Sequence, residues 1–148
     1  MFGNQNYVAV IDYTLPAWKK RLFIINMKTG SVEAHAVAHG KGSDLNHTGW
    51  AKHFSNSGGS DASSIGFYKT GEIYFGKHGR SLRLDGLSST NNNARDRAVV
   101  IHGARYVSDS NATGRSWGCP AVSPANIGHV IDVLKGGALI YAYGGQGG

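Results

Sequence analysis

The sequence predicts a mainly β, single-domain fold with one substantial helix, and three observations lead to it. Short runs of branched and aromatic residues recur between glycine- and serine-rich breaks, as strands do between turns. One segment, late in the chain, spaces its apolar residues as an amphipathic helix does. The 22 glycines against three prolines suit tight turns and close backbone approaches. At 148 residues, the whole chain 1–148 makes one domain, long enough to bury a core without disulfide or metal staples.

Taken in order, residues 7–13 (YVAVIDY) form a strand that Leu15-Pro16 breaks, and residues 21–27 begin the next. Lys28-Thr29-Gly30-Ser31 is a hairpin turn with Gly30 at the positive-φ position, and residues 32–39 return as a third strand. Residues 40–64 are polar and weakly periodic, a long loop of the kind that often carries function. Short strands follow at 65–70, 73–76 and 81–84, separated by Gly71 and Gly79. The near-continuous apolar run 97–102 reads as a central strand buried on both faces. Ser123-Pro124 starts the helix, with Ser as N-cap and Pro at the first helical position. Ile127, Val130, Ile131 and Leu134 give that helix one apolar stripe. Gly136-Gly137 ends it, residues 138–143 form a last strand, and 144–148 are a frayed end.

The formal charge is +6, which favours anionic partners. No Lys/Arg block resembles a nucleic-acid arm and the aromatics do not alternate with cations, so no nucleic-acid partner is expected. An acidic polymer fits the charge equally well. No stretch reaches the eighteen apolar residues of a membrane span, and the polar residues 1–6 do not read as a signal peptide.

The single cysteine, Cys119, cannot close an intramolecular disulfide. It sits in Arg115-Ser116-Trp117-Gly118-Cys119-Pro120, with His102-Gly103 seventeen residues upstream at the end of the apolar strand. A thiol needs a base to become a nucleophile, and a flanking glycine lets backbone N–H groups face a reacting carbonyl. His102 is the expected base. The Gly103 backbone carbonyl would take its Nδ1 proton and leave Nε2 facing the thiol. Gly118, with Cys119, is the expected oxyanion donor through its N–H. The blander alternatives are a buried cysteine packed as a small hydrophobe, a plain hydrogen-bonded histidine and a packing role for Trp117.

His102-Gly103 followed by Ser116-Trp117-Gly118-Cys119 resembles the signature of the L,D-transpeptidase (YkuD-type) catalytic domain. The resemblance leans toward the murein L,D-transpeptidase catalytic domain branch and covers nearly the whole chain. It takes in Val37-Ala38-His39-Gly40-Lys41-Gly42-Ser43, Phe54-Ser55-Asn56, Gly86-Leu87, Asn93-Ala94-Arg95, Ile101-His102-Gly103-Ala104 and 114–121. Two positions depart from the broader family: Trp117 where a His is usual, and Pro120-Ala121 where an apolar and then a polar residue are common. The resemblance implies a β-sandwich or barrel with the main helix after the cysteine, and a peptidoglycan enzyme acting on tetrapeptide stems. Cys119 would form a thioester and release D-alanine; a stem amine would then give a 3→3 cross-link. Water as acceptor would make the same site an L,D-carboxypeptidase or endopeptidase, such as a secreted toxin or phage wall enzyme. A lipoprotein amine would make it an anchoring enzyme. The non-enzyme alternative is a basic wall-binding module. The resemblance also implies carbapenems as covalent inhibitors, no cofactor, a monomer, and a place in the periplasm, cell envelope or outside the cell.

Substrate contacts are expected from Arg115, because stem peptides present carboxylates that Arg reads bidentately. Ser116 and Trp117 in the cysteine loop, His39 at the opening of the long loop, and Tyr68 and His78 as another wall complete that set. Lys77, Arg80, Arg83, Arg95, Arg97 and Arg105 read mostly as solvated surface or structural ion pairs. His35 and His39 lie four apart, but Ala36 stands where a metalloprotease needs Glu, so no metal is expected.

Overall fold

A computed structural model describes residues 1–145. Its elements in chain order are β1 (Tyr7–Asp12), β2 (Leu22–Asn26), β3 (Val32–His35), β4 (Gly66–Gly76), β5 (Gly79–Gly86), β6 (Val100–Gly103), β7 (Ala121–Val122), α1 (Ile127–Leu134) and β8 (Leu139–Tyr143), with a 3-10 turn at Lys41–Ser43. The predicted mainly β architecture with one α-helix after the cysteine is what forms. The strands lie in the order β3-β2-β1-β8-β4-β5-β6-β7. The frayed end expected at 144–148 falls largely outside the described residues.

Strands β1 to β3 form an antiparallel meander, turned between β2 and β3 at Gly30, whose φ of 76° suits glycine. The last strand, β8, inserts parallel to β1 and antiparallel to β4, so the chain's two halves share one sheet. β6 then pairs in parallel with the short β7.

The third strand is shorter than its sequence suggests. Its ladder to β2 stops at His35. Ala36, Val37 and Ala38 are fully buried, and Ala38 donates its N–H to the Ala121 carbonyl at 2.8 Å. The segment expected as one strand over 32–39 therefore serves two partners, β2 first and β7 afterwards. This crossing nearly closes the sheet into a barrel.

A second difference concerns Gly71. Residues 66–76 form one strand with a bulge between Thr70 and Ile73, not two strands split by a turn. Gly71 is there for space: a Cβ on it would stand 2.8 Å from the Arg95 guanidinium. That guanidinium binds Glu72 at 2.8 Å and 3.0 Å, and also pairs with Asp85.

The helix behaves as the pattern requires. Val130, Ile131 and Leu134 are fully buried against Ile11, Leu82, Ile101 and Ile140. Each such side chain contributes about 1.5–3 kcal/mol of burial. The regular helix begins at Ile127, one turn after Ser123, whose Oγ still accepts the Asn126 N–H at 3.2 Å. Gly136 and Gly137, both at positive φ, end it as expected.

The long loop 40–64 is folded tightly against itself. Gly40 N–H donates to Ser63 Oγ (3.0 Å), Gly42 N–H to the Asp61 carbonyl (2.8 Å), and Ser63 N–H to Ser43 Oγ (2.9 Å). A Cβ on Gly40 would lie 2.9 Å from Gly118 Cα, so this loop is the wall against which the cysteine turn is built. No helix among the described residues is long and apolar enough to cross a membrane.

Candidate active site

Strand pairing brings the expected base and nucleophile together. His102 and Ala121 are paired across β6 and β7, and Cys119 lies two residues before Ala121. The thiol rests on the start of β6, with Sγ 3.5 Å from the Val100 N–H and 3.6 Å from the Ala98 carbonyl, to which it donates. Ala98 holds φ at 57°, an uncommon conformation for a residue with a side chain, and so presents that carbonyl to sulfur. His102 is 3% exposed, and its Nδ1 lies 3.0 Å from the Gly103 carbonyl. Nδ1 is thereby the protonated nitrogen and Nε2 keeps its lone pair. Among the described residues no hydrogen bond joins the two side chains, which suits a resting pair whose contact tightens around a substrate.

The cysteine turn is organised by Ser116. This buried hydroxyl donates to the Cys119 carbonyl at 2.6 Å and accepts from the Gly118 N–H at 3.1 Å. Its backbone bonds to the His39 carbonyl and the Lys41 N–H at 3.0 Å and 2.7 Å. Gly118 has φ 121°, and a Cβ on it would meet the Ala62 carbonyl at 2.9 Å. Only glycine fits there. The Gly118 N–H, expected as an oxyanion donor, is thus already spent inside the turn. The Cys119 N–H has no protein acceptor among the described residues and is the donor left open.

Both groups are neutral at rest. Burial pushes the Cys119 thiol above its ordinary 9.0, against the opposing pull of the Val100 N–H, Arg97 and Lys77. Burial holds His102 below its ordinary 6.5; the Gly103 carbonyl works the other way, while His78 and Lys77 add to the depression. A neutral imidazole on the strand where a neutral thiol rests is the starting state that a general base and its nucleophile would need.

The expected substrate contacts divide sharply. Trp117 is 65% exposed, under the Lys41 ammonium at 4.5 Å, and remains available. His78, in the β4–β5 turn, stacks on the His102 ring at 4.0 Å with 11° between planes. The other four are structural. Ser116 shapes the turn. Tyr68 is in the core with its hydroxyl on the Ser64 carbonyl at 2.8 Å. Arg115 is tied to the Asp44 carbonyl at 2.6 Å. His39 is buried between Arg21 and Asp44, 3.0 Å from each. Asp44 is pushed up by burial, but the Thr48 and Gly49 N–H groups and His39 outweigh this and hold it at about 2. His39 and Arg115 line a separate cleft of about 240 Å³ that shares no residue with the grooves beside the pair.

Comparison with known proteins identifies the family and the fold. The family model for the L,D-transpeptidase catalytic domain (YkuD_2) matches residues 2–143. The chain belongs to that family. No curated protein sequence matches it. Among solved structures, the helical cell shape determining protein Pgp2 of Campylobacter jejuni (K307A mutant) superposes with a TM-score of 0.59 at 12% identity, covering 96% of this chain and 48% of that one. The L,D-transpeptidase LdtMt1 in complex with imipenem gives 0.57 at 15%, covering 93% and 59%. An L,D-transpeptidase of Stackebrandtia nassauensis gives 0.56 at 13%, covering 100% and 60%. At such identities the likeness is one of fold, and this chain spans from about half to three fifths of those proteins' lengths.

Two grooves of this L,D-transpeptidase-family domain adjoin the pair, and sequence reasoning missed most of their lining. Beside His102 lies a groove of about 430 Å³ that includes Lys77, His78, Gly103, Arg105 and Tyr106. Beside the cysteine turn, a groove of about 520 Å³ includes Asp61, Asn93, Asp96, Arg97 and Trp117. Arg97 is anchored there by the Ser55 and Ala62 carbonyls, each at 2.9 Å. The available signal was weak: Lys77 and Arg105 stand near His78 and His102 in sequence, whereas the acidic pair comes from two unrelated loops.

Proposed function

We propose that this domain is a cysteine-dependent peptidoglycan L,D-transpeptidase of the cell envelope. The observation that carries the proposal is the seating of Cys119 Sγ on β6 beside a buried His102 whose Nδ1 is fixed on the Gly103 carbonyl. In the first half-reaction His102 Nε2 takes the thiol proton as Sγ attacks the carbonyl between the diamino-acid L-centre and the terminal D-alanine. The Cys119 N–H stabilises the oxyanion, a donor of a kind whose loss typically costs about 10²–10³ in rate. Collapse breaks the amide bond, and the imidazolium gives its proton to the departing D-alanine amine. In the second half-reaction His102 takes a proton from an acceptor amine, which attacks the thioester. A new amide forms, and the proton returns to the thiolate.

Groove chemistry favours an amine acceptor over water. Lys77 and Arg105 suit the carboxylates of a donor stem, and Asp61 with Asp96 gives the other groove two carboxylates suited to an ammonium, with Arg97 tied into its wall and Lys41 held over Trp117. LdtMt1 is seen in complex with imipenem, and carbapenems are expected to bind at Cys119 here and acylate its thiol.

The test is incubation with purified tetrapeptide muropeptides and mass analysis of the products. Cross-linked dimers with released D-alanine are expected, and neither should form with Cys119→Ala. Tripeptides alone would reassign the domain as a carboxypeptidase. Full activity of Cys119→Ala would remove the nucleophile assignment.

A further inference from the structure

Outside the active site, three metal-ligating side chains converge where the edge strand β3 meets the first turn of α1. Glu33 and His35 are two apart on β3 and so share one face of the strand. His129 reaches them from the helix, 96 residues away in sequence. Its Nε2 lies 2.9 Å from both Glu33 carboxylate oxygens, and His35 Nε2 lies 3.4 Å from one of them. All three ligand atoms fall within 4.8 Å of one another.

His35 points to a ligand. It is only 8% exposed, and its Nε2 is wholly buried without a hydrogen-bond partner, although it faces the cluster. Leaving such a polar atom unpaired is costly, and a bound ion would remove that cost. The carboxylate is already shared with His129 and does not satisfy it.

We infer that Glu33, His35 and His129 form a binding site for a divalent transition metal, with Zn²⁺ the best-matched ion. Metal–ligand bonds of about 2.0–2.1 Å in a tetrahedron put ligand atoms about 3.3 Å apart. The two histidine–carboxylate spacings of 2.9 Å and 3.4 Å need shifts of only a few tenths of an ångström, and the remaining His35–His129 edge, within 4.8 Å, closes by rotation of the exposed His129 side chain. Two imidazoles and one carboxylate are a zinc donor set, and the exposed sides of Glu33 and His129 leave the fourth position to solvent. Mg²⁺ and Ca²⁺, which prefer all-oxygen shells, do not fit. The expectation of no metal weighed His35 against His39. Those two go to different clusters, and the missing ligands come from Glu33 and the helix. The bound ion would staple the edge strand to the helix that follows the cysteine turn. This inference stands apart from the catalytic reading.

Calorimetric titration with zinc chloride tests it, using full-length Cys119→Ala so that the active-site thiol cannot compete. One site per chain is expected, with a rise in Tm and, for Co²⁺, the visible absorption of a four-coordinate ion. Adding His129→Ala, an exposed position that the fold tolerates, should weaken zinc at least tenfold and abolish the Tm response; Glu33→Gln should do the same. Absence of binding at millimolar zinc would overturn the proposal. So would binding that survives both substitutions, since it would then lie on other histidines.

Discussion

The groove beside His102 and the groove beside Cys119 differ in the sign of their charge and in how they are built. The first combines the β4–β5 turn, which supplies Lys77 and His78, with Arg105 just after β6. The second is walled by two loops, which contribute Asp61 and Asp96, and is closed by the exposed Trp117. Arg97 carries positive charge there, but four hydrogen bonds to loop 55–64 hold it in the wall. Under the proposed function the difference would serve two tasks of a transfer reaction, with one groove for an anionic donor and the other for a cationic acceptor. It also places Lys77 and His78 where they act on the base electrostatically, so the donor side is coupled to the chemistry itself.

The largest expected effect comes from inverting the donor side. Lys77→Glu with Arg105→Glu removes two charge-assisted contacts and adds repulsion. Charge-assisted bonds are worth about 1.5–3 kcal/mol when well formed, but both side chains are exposed and screened, so the pair together should supply about 1.4–2.7 kcal/mol and kcat/KM for tetrapeptide cleavage should fall roughly 10- to 100-fold. D-alanine release measured under single-turnover conditions reads this directly. An unchanged rate would mean that the donor lies elsewhere.

A smaller effect is expected on the acceptor side. Asp61→Asn with Asp96→Asn should leave D-alanine release within about twofold and lower the ratio of cross-linked to hydrolysed product about tenfold. Equal losses in both half-reactions would show that the two grooves are not separate subsites.

How much of this was readable beforehand follows from where each interaction is encoded. The placement of His102, Gly103 and Cys119 was legible because it depends on neighbours in sequence: a strand end, a flanking glycine and a turn. The helix was legible for the same reason, its stripe and its cap being local. The burial of His39 and Tyr68 and the tie of Arg115 to the Asp44 carbonyl were not legible, because they depend on closure of the sheet, which turns on the crossing of residues 36–38 from β2 to β7. Ser116 shows the limit in miniature. A hydroxyl three residues before a cysteine reads as a substrate contact, and only the folded turn shows that its two bonds are both internal. Asp61 and Asp96 left no pattern, since two separate loops bring them to one groove.

The mildest test of the comparison uses pH. His78 stacks on His102 and, with burial and Lys77, holds it below 6.5. Because His102 works as a neutral base, activity is present above its pKa and is lost as pH falls through it. The acid limb of kcat/KM should therefore lie below 6.5 in the parent protein. His78→Ala uncovers the ring and removes a neighbour that disfavours its charged form. Both changes favour the imidazolium, so the limb should move up toward 6.5. Asp96→Asn, on the opposite groove, should leave the limb in place. A downward shift in His78→Ala, or an equal shift in Asp96→Asn, would break the assignment of electrostatic coupling to the donor groove alone.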